Sequence, residues 1–380
     1  MTGPRCGRRV RARARARVPA FVGWSLLCAL LLATSCVTST SSARSASEQS
    51  ASEQSDSPSS APTRSNGENS DSDTPGDEVK TSSNDGYSLS IDVDGPEPRL
   101  PVTVQSADGT TAVVKDISRI VVLRGAIAEV VYSLGLGDNV VGRDVSTTFT
   151  EADDVPLVTH GHDMSAESVM SLKPSVVLAD TDSGPPEAIA QIRSIGVPVI
   201  AFDPVTSVET IHGHMTEIAS ALGLATEGAA LAERTMRSIE EVADRASSSG
   251  EHPHVAFLYL RGTAGVYLLG GPGSGADSMI AAAGGTDVGT EMGLTKPFTP
   301  LTSEALVLAA PDILLLTTTG LESVGGIDGL LATPGIAQTP AGAARRIVTL
   351  EDGLLFSFGT RTPTVVRNLA SKFAAEAGRG

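Results

Sequence analysis

The chain has 380 residues, room for two lobes and a sizeable core, and its 28 basic and 44 acidic residues give a formal net charge of −16. All three cysteines, Cys6, Cys28 and Cys36, lie near the N-terminus, so the remainder can form neither an internal disulfide nor a thiolate metal site. Seven arginines and no acids precede Cys36, which leaves 21 basic residues against 44 acidic ones, a balance of −23 that argues against nucleic-acid binding.

Arg5, Arg8, Arg9, Arg11, Arg13, Arg15 and Arg17 are followed by the apolar run "VPAFVGWSLLCALLLATS", the basic-then-apolar order of a secretory signal. "LLLATSC" sets small Ala33, Thr34 and Ser35 before Cys36 in the manner of a lipobox. Residues 1–35 therefore read as a lipoprotein signal peptide and Cys36 as the lipidated start of the mature chain, anchored to a membrane. No other apolar run is long enough to span one. Residues 36–88, which include "ASEQSASEQS", are mostly Ser, Glu, Asp, Asn and Gly. Such a segment cannot bury enough surface to offset its ordering entropy, and it reads as a disordered tether.

The globular part starts near Leu89. "LPVTVQSADGTTAVV" alternates apolar and polar residues on both sides of Asp108-Gly109, a hairpin signal. Strand and helix then alternate: "RIVVL" leads into "AIAEVVYSLGLG", "SAESVMSLKP" into "SVVLAD", and "EAIAQIRSIG" into "VPVIAF". Short apolar runs between amphipathic helices predict a parallel sheet covered on both faces. "SAESVMSLKPSVVLAD" and "TSEALVLAAPDILLLTT" echo each other, with Glu167 to Pro174 and Glu304 to Pro311 identically spaced. Two related α/β lobes follow, at residues 89–225 and 251–380. A helix over 226–250 joins them, running from a cap at Thr226 to about Ala246, some 30 Å at about 1.5 Å per residue.

"HVAFLYLRGTAGVYLLGG" in the second lobe reads as a buried strand, yet it carries Tyr259 and Arg261, which project from the same face. In the first lobe "VPLVTHGHDMSAE" offers His160 and His162 in a loop before a helix capped by Ser165. His212 with His214, and His252 with His254, raise zinc capture, but residues two apart on a helix point to opposite sides, and both pairs read as solvated. "LGGPGSGADSM" lacks the Lys-Ser/Thr of a phosphate loop, and no G-x-S-x-G or H-E-x-x-H is present. The chain does not read as an enzyme; the glycines shape a turn.

The lipoprotein signal, the tether, the two α/β lobes and the connecting helix resemble class III substrate-binding proteins of ABC importers. "LPVTVQSADG", "RIVVL", "LGLGDNVVGRDVS", "GHDMSAESVMSLKP", "FLYLRG", "AAAGGTDV" and "FGTRTP" together resemble the haemin-binding lipoproteins of Gram-positive, actinobacterial-type haem importers, over residues 98–378. The resemblance implies a cleft between two Rossmann-like lobes that holds haem, ferric protoporphyrin IX. Tyr259 is then an axial ligand and Arg261 the cation favouring its phenolate. The ligand across the cleft is His162, with His160 as the alternative. Arg143 and Arg361 are conceivable propionate contacts to which the sequence assigns no role, whereas Met164, Met279 and Met292 read as core or lining. Glu167 and Glu304 dock against arginines of the ABC permease, which works with an ATPase subunit. Surface proteins that bind haem upstream are further implied partners, and the place of action is the extracytoplasmic face of the cell membrane. Ferric siderophore, cobalamin and zinc are the alternative cargoes.

Overall fold

The computed structural model describes Tyr87, Leu89 and residues 97–378 except 161, 162, 249 and 251. The signal peptide, Cys36, almost all of the tether and His162 therefore lie outside the described residues. Tyr87, two residues before the expected start of the globular part, is half-buried and packs against the main core.

The hairpin forms between β1 (Val102–Gln105) and β2 (Thr111–Val114). Asp108 accepts the Thr110 N–H at 3.1 Å across its turn, and Gly109 takes a φ of 81°, where glycine meets no Cβ penalty. The first lobe then runs through β3 (Ile120–Val122), α1 (Gly125–Ser133) and β4 (Val140–Arg143). Next come β5 (Thr159–His160), β6 (Asp163–Met164), α2 (Ala166–Ser171), β7 (Val176–Asp180), α3 (Pro186–Ser194) and β8 (Val199–Phe202). Its sheet is parallel in the order β4-β3-β7-β8, and β5 and β6 form a separate antiparallel pair. β7 and β8 are buried along their whole length, as the uniform apolar runs predict for a covered parallel sheet.

α4 (Ile211–Ala221) turns directly into α5 (Ala225–Ser247) through Gly223, whose φ is 77°. The connecting helix thus starts ahead of Thr226, which lies inside it and caps nothing; the N-cap is Leu224. Its 23 residues span about 35 Å at roughly 1.5 Å per residue. Gly228, Leu231, Ala232, Thr235, Ile239 and Val242 form its buried stripe. A Cβ on Gly228 would lie 2.0 Å from the Ala219 Cβ, so only glycine lets α4 and α5 approach this closely.

The second lobe contains β9 (His254–Arg261), β10 (Val266–Gly270), α6 (Ala276–Ala282), β11 (Thr286–Asp287), α7 (Val288–Glu291) and β12 (Phe298–Pro300). It continues with α8 (Ser303–Ala309), β13 (Ile313–Thr317), α9 (Thr318–Ser323), α10 (Gly326–Ala332), α11 (Pro340–Ala343), β14 (Ile347–Leu350), α12 (Asp352–Leu355) and α13 (Thr362–Ala377). Its strand order is β12-β10-β9-β13-β14, with β11 beside the start of β9. The molecule is therefore α/β, two lobes built on separate sheets and joined by a long helix. One apolar core runs through both, from Ile120 and Leu178 through Leu231 and Ile239 of α5 to Phe257, Leu315 and Phe373. Separating the lobes would expose that core, so they are coupled by packing as well as by the chain.

The sequence echo has a structural counterpart. Ser165 caps α2 by accepting the Ser168 N–H, and Thr302 caps α8 by accepting the Ala305 N–H. Glu167 and Glu304 are each the second residue of their helix and are exposed. Each unit then bends through a left-handed residue immediately before its proline, Lys173 at φ 48° and Ala310 at φ 44°, and enters a fully buried strand.

Candidate functional site

The odd residues of β9 face the main core and the even ones the smaller core of the second lobe. Along the odd face Val255 and Phe257 are fully buried, while Tyr259 and Arg261 are only partly so. The strand thus outruns its own core, and its last two outward positions carry the phenol and the cation. β10 keeps the end of β9 in register, pairing Leu268 with Tyr259 and Val266 with Arg261.

The Tyr259 ring lies 5.6 Å from the Phe298 ring, and the Arg261 guanidinium carbon stands 4.6 Å above its centroid. That is cation–π geometry, favourable because the ring face is electron-rich. Arg261 is held on two further sides: Nη1–H donates to the Leu260 carbonyl at 3.0 Å and Nη2–H to Asp352 Oδ1 at 2.7 Å. Asp352 Oδ2 in turn accepts from the Thr319 hydroxyl. The residue after Asp352 meets the first lobe, since a Cβ on Gly353 would lie 2.5 Å from Thr148 Oγ1. The pair accordingly stands at the C-terminal ends of its strands, the side on which α/β sheets bind ligands, next to the junction of the lobes.

From the first lobe, β5 and β6 bring the His160 backbone opposite Asp163, and Ser165 caps the helix that follows. His162 falls outside the described residues. The two additional arginines are both engaged by neighbouring groups. Arg143 donates to the carbonyls of Val155, Thr147 and Asp153, which staples its own loop. Arg361 is 3% exposed, and its Nε–H meets Glu129 Oε1 at 2.8 Å while its backbone N–H meets Oε2 at 2.9 Å. Ser357 donates to the same carboxylate, and the Ser133 and Thr360 hydroxyls pair at 2.9 Å beside it. This is a buried ion pair that ties α1 to the second lobe. A glutamate amid the apolar "AIAEVVYS" was the signal that could have found it, since a buried charge needs a partner.

Met164 and Met279 are core residues, and Met292 packs against the smaller core. Of the histidine pairs, His212 is exposed but His214 is not. It shares a buried face with Ile211, Met215 and Ile218 and meets the Phe202 ring edge-on at 5.8 Å. Burial, reinforced by the Arg124 cation, pushes its pKa down to about 4. His252 is tied to the Gly284 carbonyl and His254 to Glu291 at 2.7 Å. No group of three His, Cys, Asp or Glu among the described residues could hold a metal ion. In the glycine-rich turn the N–H groups of Gly273 and Gly275 donate to the Asp277 carboxylate at 2.8 and 2.9 Å. The chain's own anion occupies the place a phosphate would need.

Concavities among the described residues lie away from Tyr259. One of about 240 Å³ sits between α5 and α13, and one of about 450 Å³ lies between β1 and α4.

Residues 120–354 match the periplasmic binding protein family. The solved haem-binding protein HmuT is 37% identical, with a TM-score of 0.70 over 75% of this chain and 94% of that one. The periplasmic haem-binding protein RhuT from Roseiflexus sp. RS-1 is 40% identical, with a TM-score of 0.65 over 69% of this chain and 100% of that one. In sequence, the uncharacterized ABC transporter substrate-binding lipoprotein YvrC of Bacillus subtilis is 25% identical over 277 residues, 71% of this chain and 85% of that protein. A cobalamin-binding protein of Halobacterium salinarum is 24% identical over 280 residues, 71% of this chain and 73% of that protein.

Proposed function

Since this chain belongs to the periplasmic binding protein family, we propose that it captures haem outside the cell and passes it to an ABC permease. The observation that carries the reading is the Tyr259–Arg261 pair, stacked at 4.6 Å where β9 leaves its core. A phenol titrates near pH 10, so at neutral pH a phenolate needs help. Ferric iron supplies most of it, and the guanidinium on the ring favours the charged form. The identity of 37–40% to the solved haem-binding proteins supports the same cargo. The protein acts by binding and handover rather than by catalysis.

The second ligand comes from the β5–β6 hairpin of the other lobe. Crystals of HmuT variants carry substitutions of a histidine, a tyrosine and an arginine. The arginine follows the tyrosine by two positions, as Arg261 follows Tyr259, and the histidine precedes the tyrosine by the same interval as His160 precedes Tyr259. That spacing favours His160 over His162. Handover uses a separate surface: exposed Glu167 and Glu304 meet arginines of the permease, and Leu308, 82% exposed and four residues beyond Glu304, adds an apolar anchor on α8. Lipidated Cys36 and the tether keep the protein at the extracytoplasmic face of the membrane.

Titrating the purified full chain with haemin, and with cobalamin in parallel, tests the cargo. A saturable Soret spectrum that survives gel filtration is expected. Haemin lost on the column, or cobalamin retained in its place, would overturn the reading.

A further inference from the structure

We propose that Asp352 is a positioning residue that clamps Arg261 onto the face of Tyr259, so that haem retention depends on a carboxylate 91 residues from the arginine. The inference rests on the reading of Tyr259 as an iron ligand.

Arg261 and Asp352 have side-chain exposures of 32% and 31%, so the guanidinium has water on one side and is free to leave the ring unless something holds it. A free arginine side chain has more rotamer entropy to lose than an exposed cation–π contact alone can offset. The Leu260 carbonyl fixes only one end of the fork, at Nη1. Asp352 fixes the other end, at Nη2, and with both ends held the plane of the guanidinium stays over the ring. Asp352 is itself fixed, because its second oxygen accepts from Thr319 and its backbone is the first residue of α12. Three elements distant in sequence, β9, α9 and α12, thereby converge on one cation. Its orientation is set before any ligand arrives, so little ordering is left for binding to supply. The carboxylate also opposes negative charge on the phenol. Its charge is spread over the bonds to Arg261 and Thr319, however, and positioning outweighs that opposition.

The test is a double-mutant cycle on the haem-loaded full chain. It follows haem transfer to excess apomyoglobin and the position of the phenolate-to-iron charge-transfer band for Asp352→Ala, Arg261→Ala and the double variant. Asp352→Ala should speed release roughly fivefold, the scale of a half-exposed charge-assisted contact, and move the band in the same direction as Arg261→Ala. In the Arg261→Ala background it should change neither. Asp352→Asn, whose Oδ1 still accepts from Arg261 while its amide N–H can donate to the Thr319 hydroxyl, should retain most of the wild-type band position and should also fold if the alanine variant does not. Unchanged or slower release in Asp352→Ala, or an effect that persists in the Arg261→Ala background, overturns the proposal. Tyr259→Phe separates the two readings: a charge-transfer band and release rate unaffected by that substitution overturn the ligand assignment, and the role of Asp352 falls with it.

Discussion

In the first lobe the strand beside the repeated one is β3, three residues long, and the chain leaves it for Arg124 at the N-cap of α1. In the second lobe the strand in that place is β9, eight residues long, which runs on to Arg261. Both lobes thus put an arginine near the end of the strand and pair it with aspartate. Arg124 meets Asp180 at 2.6 Å and Asp182 at 2.5 Å, and Arg261 meets Asp352 at 2.7 Å. Only the longer strand has an outward position left before the arginine, and there it places Tyr259. A shared framework of cap, glutamate, left-handed residue, proline and buried strand therefore carries different chemistry, and the difference comes from how far one strand extends past its core.

The strongest way to break the comparison is to cut what makes the two lobes one body. Glu129 and Arg361 are both at or below 3% exposure, and replacing one partner strands the other charge in the core. Glu129→Ala should lower the unfolding free energy by about 3–5 kcal/mol in urea titrations. Glu129→Leu combined with Arg361→Met should cost less than either change alone, because no unpaired charge remains. A double variant whose cost equals the sum of the two single costs would mean that the pair contributes nothing as a pair.

A second test bears on the first lobe alone. His214 has its pKa pushed down to about 4 from the ordinary 6.5, so between those values the unfolded chain binds a proton that the folded one refuses. Its contribution to stability is therefore complete above about pH 6.5 and is lost as pH falls towards 4, by roughly 3 kcal/mol. Asp180, which burial pushes up to about 6 against the pull of Arg124, acts in the opposite sense and favours the folded state as pH falls. His214→Phe should remove the first effect and leave the second, so that stability measured by thermal melts rises on acidification from pH 6 to 4. A variant curve parallel to the wild type would show that His214 is not the group responsible.

These features differ in how far the sequence alone discloses them. The pairing of Tyr259 with Arg261 follows from strand alternation, and the repeat from the Glu-to-Pro interval, because both are periodic along one segment. The burial of His214 was legible too, since Ile211, His214, Met215 and Ile218 lie on one helical face, but the H-x-H pattern drew attention to the wrong relationship. Thr226 has the chemistry of a cap, yet the tight turn at Gly223 starts the helix before it is reached. Asp352 and the partner of Glu129 are different in kind. Their contacts bridge 91 and 232 residues, and only the topology of two lobes brings those segments together.

A third test asks each lobe for its ligand. Tyr259→Ala should weaken haem binding roughly 100-fold and remove the phenolate charge-transfer band, while the first-lobe ligand variant should change the spin state and keep that band. His160→Ala is expected to do this and His162→Ala to leave the spectrum close to wild type. The reverse result would move the ligand two residues along the hairpin, and no change in either would remove the first lobe from iron ligation altogether.

The smallest expected effect on the isolated protein belongs to the feature the lobes share most closely. Glu167 and Glu304 each sit in the first turn of a capped helix, where a carboxylate gains a few tenths of a kcal/mol from the helix dipole when it is exposed. Helix-start chemistry alone would account for them, and Ser165 and Thr302 already supply the caps. What that chemistry does not require is the same position in both lobes with both carboxylates facing solvent. Glu167→Arg with Glu304→Arg should shift the melting temperature by only a few degrees, roughly what 1 kcal/mol does in a chain of this size, and leave the haem spectrum intact. Haem-dependent growth through the permease should nevertheless stop, because under the proposed docking two cations would now face the permease arginines. Growth that continues would reduce the pair to helix-start residues, and a lost Soret spectrum would place them in the fold or in the haem site instead.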